Sequence, residues 1–262
     1  MKLSLKQTRY IKRIKRNRIL VLVTQILILL IFLILWELLS KYKVINPFIF
    51  SSPSRIVKTI ITLFKSNNLI YHIWVTSYET IISFLITTFL SLIISIILYR
   101  SIFLSKVFDP YLTMLNSLPK VALGPIIIIW VGANIKSIIL MSILISLIVS
   151  IQTIYNGFIN TDKNKIKLLK TFGATKRDIL FRVVIPSNYS VIINTLKINI
   201  SMCLIGVIMG EFLTSKAGIG YLILYGSQVF NLDLVMSGIV ILIILSVILY
   251  KLTKYIEKHL VK

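Results

Sequence analysis

The chain has 262 residues, of which 57% are hydrophobic and only 15% charged. Too few polar residues remain to coat that much apolar surface, which excludes a soluble globular domain and leaves a membrane protein. The formal net charge of +22 would suit nucleic acid, but the basic residues gather beside apolar runs of membrane length, a pattern that sets bilayer topology instead.

Residues 1–18 form a basic leader with eight Lys and Arg. The apolar run that follows, 19–40, is too long for the core of a signal peptide and precedes no small-residue cleavage site, so it reads as a retained first span. Residues 41–76 form an external loop. Within it Ser52-Pro53-Ser54 starts a helix whose apolar side is Ile56, Ile60, Leu63 and Phe64, as in a helix lying in the interface. A membrane core over 77–252 then holds five more runs, at about 77–99, 111–131, 137–156, 190–213 and 233–252, and a basic tail follows at 253–262. The expected fold is therefore an all-α membrane protein with about six transmembrane helices. With the amino terminus inside, 21 of the 30 basic residues fall on the cytoplasmic side, which predicts both termini in the cytoplasm.

Stripes of small residues mark helix contacts. Ser83, Thr87, Ser91 and Ser95 form one, Ser142, Ser146 and Ser150 a second, and Gly206 with Gly210 a third. Small residues let backbones approach closely; the alternative is that one stripe lines a hydrated path. The run at 111–131 carries Pro119, Lys120 and Pro125, so it should start late, bend or break. Lys120 either faces a cavity at that break or snorkels to the interface. Glu211, at the outer end of the fifth run, is either functional, an ion pair with Lys216, or exposed at the interface. These four residues, Pro119, Lys120, Pro125 and Glu211, are the candidates for a path or gate.

Nothing in the chain has the spacing of a metal site, a nucleotide loop, a nucleophile–base pair or paired catalytic carboxylates. Cys203 is the single cysteine, and His72 and His259 lie far apart. No catalytic residue and no cofactor is expected, so any uphill work must draw on an ion gradient or another subunit.

The loop at 157–189, between the fourth and fifth runs, is basic and broken by one glycine. Ile166, Leu169 and Phe172 recur at three-residue steps among lysines, which predicts a short amphipathic helix. Gly173 is placed to end it in a left-handed cap. Thr175 stands three before Asp178, the spacing of a capping box, and a second helix would carry Ile179, Leu180, Val183 and Val184 until Pro186 stops it. A basic helix beside a membrane often rests on anionic lipid. Two stiff helices meeting at a capped Gly173-Ala174 corner also suit a groove on another protein.

Gly173, nine residues, then "VVIP" at 183–186 resembles the cytoplasmic loop motif of binding-protein-dependent ABC transporter permeases. In order, "SPSRIVKTI", "LPKVALGPIIIIWVGANIKSIIL", "GEFLTSKAGIGYLILYG" and "LDLVMSGIVILIILSVILYKLTKYIEKHL" are similar to the nitrate/sulfonate/taurine branch of that family, over about residues 45–260. The resemblance implies a permease subunit of an ATP-driven importer in the bacterial plasma membrane. Its partners would be an ABC ATPase subunit, an extracytoplasmic substrate-binding protein and a second permease chain, with a homodimer expected. It also implies that 157–189 is a coupling loop in which Phe172, Ile179 and Leu180 enter a groove of the ATPase while Lys176 and Arg177 lie at its rim. The family motif opens Glu-Ala-Ala six residues before the glycine, whereas this chain reads Lys167-Leu168-Leu169, a reversed charge. The alternatives are an ion-driven secondary transporter and a non-transporting membrane scaffold; the first lacks a matching broken span in the other half, and the breaks and two-helix corner fit the second poorly.

Overall fold

A computed structural model describes residues 5–66 and 68–260, and all regular structure among them is helical. In chain order the helices are α1 (Leu5–Lys41), α2 (Pro47–Phe50), α3 (Pro53–Lys65), α4 (Asn68–Arg100), α5 (Ile102–Ser117), α6 (Gly124–Val131), α7 (Ile135–Ile159), α8 (Lys163–Thr171), α9 (Lys176–Ile179), α10 (Ile185–Ser187), α11 (Tyr189–Thr214), α12 (Ile219–Gln228) and α13 (Leu232–Leu260). A 3-10 turn, Lys120–Leu123, links α5 to α6, and a π turn, Leu180–Val184, links α9 to α10.

Five segments are long and apolar enough to cross a bilayer: Arg13–Lys41, Asn68–Arg100, Ile135–Ile159, Tyr189–Thr214 and Leu232–Tyr255. The run expected at 111–131 belongs to no straight helix. It lies in the pair Ile102–Ser117 and Lys120–Val131, bent by 90°. Leu118 is extended (ψ 141°), as the residue before a proline prefers, and Pro119 heads the turn. Pro125 sits in the first turn of α6, where its missing N–H costs nothing.

The centre of the fold is a three-helix contact of α4, α7 and α11. Every residue of both serine stripes is buried. Thr87 bonds Ser146 (3.0 Å), Ser95 Oγ donates to Ile151 O (3.2 Å), and Ser142 Oγ donates to Cys203 O (2.9 Å). Ser150 donates to Asn199 across the α7–α11 seam. Gly206 and Gly210 face the backbones of Ser142 and Ile138. The stripes thus pack helices together; being fully covered, they line no hydrated path.

Helix α13 closes the other side of α11 with α12 and α3. Ser52 caps α3, accepting from Arg55 N, and Arg55 pairs with Asp233 (2.7 Å), which also accepts from Ser51 Oγ (2.6 Å). Ile56 is buried, and Ile60 and Leu63 pack on a cluster with Leu69, Leu204, Ile219 and Leu245, but Phe64 points outward. The ten-residue α12 is absent from the sequence-based expectation. At about 1.5 Å per residue it is too short to span, so it folds back beside α11 and α13. Helix α1 packs on the rest chiefly through α2 and α3 near its carboxyl end.

Candidate functional site

The 157–189 loop folds as the corner that its spacing predicts. Asp162 caps α8, accepting from Asn164 N (2.8 Å). The helix ends at Gly173, whose φ of 76° is left-handed. Its N–H reaches Lys170 O (3.0 Å), while Ala174 N reaches Leu169 O (3.1 Å). Thr175 Oγ1 accepts from Asp178 N (3.2 Å), and Asp178 Oδ2 accepts from Thr175 N (3.1 Å), a closed capping box. The Thr175 hydroxyl also donates to Asp178 (2.6 Å), the chief reason its carboxyl stays below the usual carboxylate range.

The corner has two sides. Ile179, Leu180, Val183 and Val184 are buried, and Ile179, Leu180 and Val184 form a cluster with Ile154 and Phe158 of α7. Ile166, Leu169 and Ala174 lean on that cluster, as does Tyr99, whose ring meets Phe158 edge-on. Ile179 and Leu180 therefore hold the corner onto α7 and are out of reach of a groove in another protein. The outer side carries Lys167, Leu168, Phe172, Lys176, Arg177 and Phe181, with Phe172 79% exposed and the Arg177 guanidinium 6.0 Å from the Phe181 ring. Pro186 does not stop the second helix. The chain widens into the π turn, Ile185 N bonds Leu180 O, and Pro186 takes the first turn of α10, where no N–H is needed. Asn188 then donates to Thr161 Oγ1 (2.7 Å) and fixes α11 to the end of α7.

The path candidates lie elsewhere and do not converge. Pro119 and Pro125 are exposed. The Lys120 ammonium donates to Asn116 Oδ1 and to Ile145 O, both at 3.3 Å. Ile145 is near the middle of α7, so this ammonium does not snorkel to a helix end.

Glu211 sits at the opposite end of α4 and α11 from the corner. It is fully buried and forms no salt bridge with Lys216 among the described residues. Its oxygens accept from Thr76 Oγ1 (2.6 Å) and Gly220 N (2.5 Å). Gly218, at φ 103°, turns the chain there. Its N–H donates to His72 Nδ1 (2.9 Å), and Ile219 N donates to Thr76 Oγ1 (2.8 Å). A Cβ on Gly220 would lie 2.7 Å from Glu211 Oε2, so only glycine lets the elbow close over the carboxylate. Glu79, which sequence reasoning passed over, is buried on α4, and its Oε2 has no partner among the described residues. The available signal was an acid inside an apolar run, one turn from Thr76.

The family model described as "Binding-protein-dependent transport system inner membrane component" matches residues 87–262. A Haemophilus influenzae chain named "Probable ABC transporter permease protein" is 28% identical over 229 residues, covering 87% of this chain and 93% of that one. The formylaminopyrimidine transport permease protein ThiX of Halalkalibacterium halodurans is 28% identical over 196 residues, 74% of this chain and 77% of the relative. Among solved structures, a chain of the MetNI methionine ABC transporter in an inward-facing form superposes with a TM-score of 0.62 at 17% identity, over 72% of this chain and 94% of that one.

Proposed function

Because this chain belongs to the binding-protein-dependent transport system inner membrane component family, we propose that it is the permease subunit of an ATP-driven importer of a small solute, working with a separate ATPase, a substrate-binding protein and a second permease chain. Sulfonates, taurine, nitrate and vitamin precursors are the solute classes to test. ATP hydrolysis belongs to the partner chain. Both termini and the 157–189 corner lie on the cytoplasmic side, in keeping with 21 of 30 basic residues there.

The observation that carries this reading is the two-sided corner. Its inner side is welded to α7 by a buried cluster, and its outer side offers an exposed Phe172 among cations. A rigid part with one face free is what a mechanical coupling requires, since movement imposed on the outer face passes into α7 and α11 without being absorbed. Phe172 enters the ATPase groove, Lys176 and Arg177 flank it, and Lys167 faces an acidic or neutral part of the partner. Pro119, Lys120, Pro125 and Glu211 remain candidates for the path or its gate.

The test is purification and uptake. An ATPase subunit should co-purify with the chain, and vanadate should block uptake into vesicles. Gly173→Pro should abolish transport-linked ATPase activity, because proline cannot adopt φ near 76° and has no N–H for Lys170 O. Unchanged coupled hydrolysis in that variant sinks the proposal.

A further inference from the structure

We propose that the cavity between the 157–189 corner and the α4–α5 turn binds the phosphate-bearing head group of an anionic phospholipid. The cavity has a volume of about 670 Å³, inside the range of roughly 300–1,000 Å³ typical of ligand sites. Three cations line it from three separate helices. Arg100 ends α4, Lys170 lies in the last turn of α8, and Lys176 opens α9. The wall beneath them is apolar, with Ile179 buried in the α7 cluster and Ile166 leaning on it. Ser101 also lines the cavity and caps α5, so the positive end of that sixteen-residue helix opens here as well.

These charges have no counter-charge. None of the three cations forms a salt bridge among the described residues, and no carboxylate lines the cavity. The acids of the neighbouring elements are engaged or distant. Asp178 accepts from Thr175 and pairs with Arg182 at 3.5 Å, Asp162 caps α8, and Asp109 stands about two turns along α5. Like charges around one space repel each other, and an anion from outside relieves that repulsion.

The position selects a lipid over a soluble anion. Arg100 is the last residue of a helix long enough to span a bilayer, so it stands at the membrane boundary. Beside it Ile102, which also lines the cavity, and Phe103 are 75% and 74% exposed. A molecule seated here meets cations at one end and bare apolar side chains at the other, the division of a phospholipid. Basic spaces between membrane helices hold anionic head groups in this way. A head group in contact with Arg100, Lys170 and Lys176 would tie the corner to α4, and no ATPase is needed for it to bind.

The experiment uses the full chain purified in a neutral detergent and titrated with phosphatidylglycerol, phosphatidylcholine or inorganic phosphate, with bound lipid read by native mass spectrometry. Phosphatidylglycerol should bind saturably and at least about tenfold tighter than phosphatidylcholine. Arg100→Gln and Lys170→Gln should each weaken it about fivefold, the effect of losing one cation near an anionic head group. Lys165→Gln, on α8 but outside the cavity, should leave the affinity unchanged, and Arg100→Lys should keep most of it. Equal affinity for the two lipids overturns the proposal, as does equal weakening by Lys165→Gln, which would mean diffuse attraction. Displacement of the lipid by inorganic phosphate at comparable concentration overturns it in favour of a soluble phosphate compound. Loss of ATPase co-purification in Arg100→Gln with unaltered lipid affinity also overturns it, since the cavity would then belong to the ATPase. Failure of the wild type to co-purify an ATPase counts against the importer reading alone and leaves the lipid result standing.

Discussion

Gly206→Ala tests the central seam of the fold. A Cβ at Gly206 would lie 3.1 Å from Ser142 Cβ and 3.3 Å from Ser142 N, and closer still to Ser142 Cα. Carbon atoms pack at roughly 3.5–4.0 Å, so α7 and α11 must part by on the order of 1 Å, a gap that forfeits a quarter to a half of each contact. Overpacking of this kind costs about 1–3 kcal/mol. The separation also strains Ser142–Cys203 and Ser150–Asn199, at about 0.6 kcal/mol per interhelical bond. Alanine's better helix propensity returns about 1 kcal/mol. The net expectation is a loss of about 2 kcal/mol. Unfolding by sodium dodecyl sulfate from mild detergent micelles, followed by circular dichroism, reads it directly. Because the tightest overlap is with the Ser142 backbone, adding Ser142→Gly should not restore stability. A Gly206→Ala variant at least as stable as the wild type, or a full rescue by Ser142→Gly, refutes the close-backbone account.

Three further outcomes are expected. Phe172→Ala should leave the melting temperature within about 1 °C, since the ring is 79% exposed, yet cut transport-coupled ATP hydrolysis at least about tenfold, the effect of losing a hot-spot aromatic; normal coupling would show that this ring is not the docking contact. Lys167→Glu should weaken co-purification of the native ATPase, and a charge swap on the partner should restore it; unaltered assembly contradicts a groove matched to lysine. The Asp178 carboxyl sits below its ordinary range because it accepts from Thr175. Its contribution to the corner is therefore present above the unfolded carboxyl's titration and is lost as pH falls through the lowered value. Hydrogen exchange at the α9 amides should thus quicken in acid in the wild type, and Asp178→Asn should remove that extra quickening.

What could be read from sequence was local. Thr175 and Asp178 lie within one turn, so their capping box follows from spacing alone. The serine stripes repeat every four residues and mark one face of a helix wherever that helix goes. Pro119 and Pro125 announced a break because proline's constraint is intrinsic to the residue. The missed features depend on the partner across space. Nothing near Thr76 in the chain says that Glu211 accepts from its hydroxyl. Ile179 and Phe172 are both apolar, yet one is 5% exposed and the other 79%, a difference set by where Phe158 and Ile154 stand. The helix α12 was hidden because its ten residues are too few for a span and its start depends on Gly218 N–H finding His72.

Helix α1 stands as a boom fastened at one end. Ser54 donates to Glu37, and Ser40 donates to Ser51 O, whereas the apolar side chains from Ile19 to Leu35 are largely exposed. Among the described residues few neighbours constrain their shapes, so swapping leucine for isoleucine along that stretch should be nearly neutral, provided length and greasiness are kept. So few bonds join this stretch to the bundle that it is the natural attachment point for a fluorescent or affinity reporter when the helices of the core must be left alone.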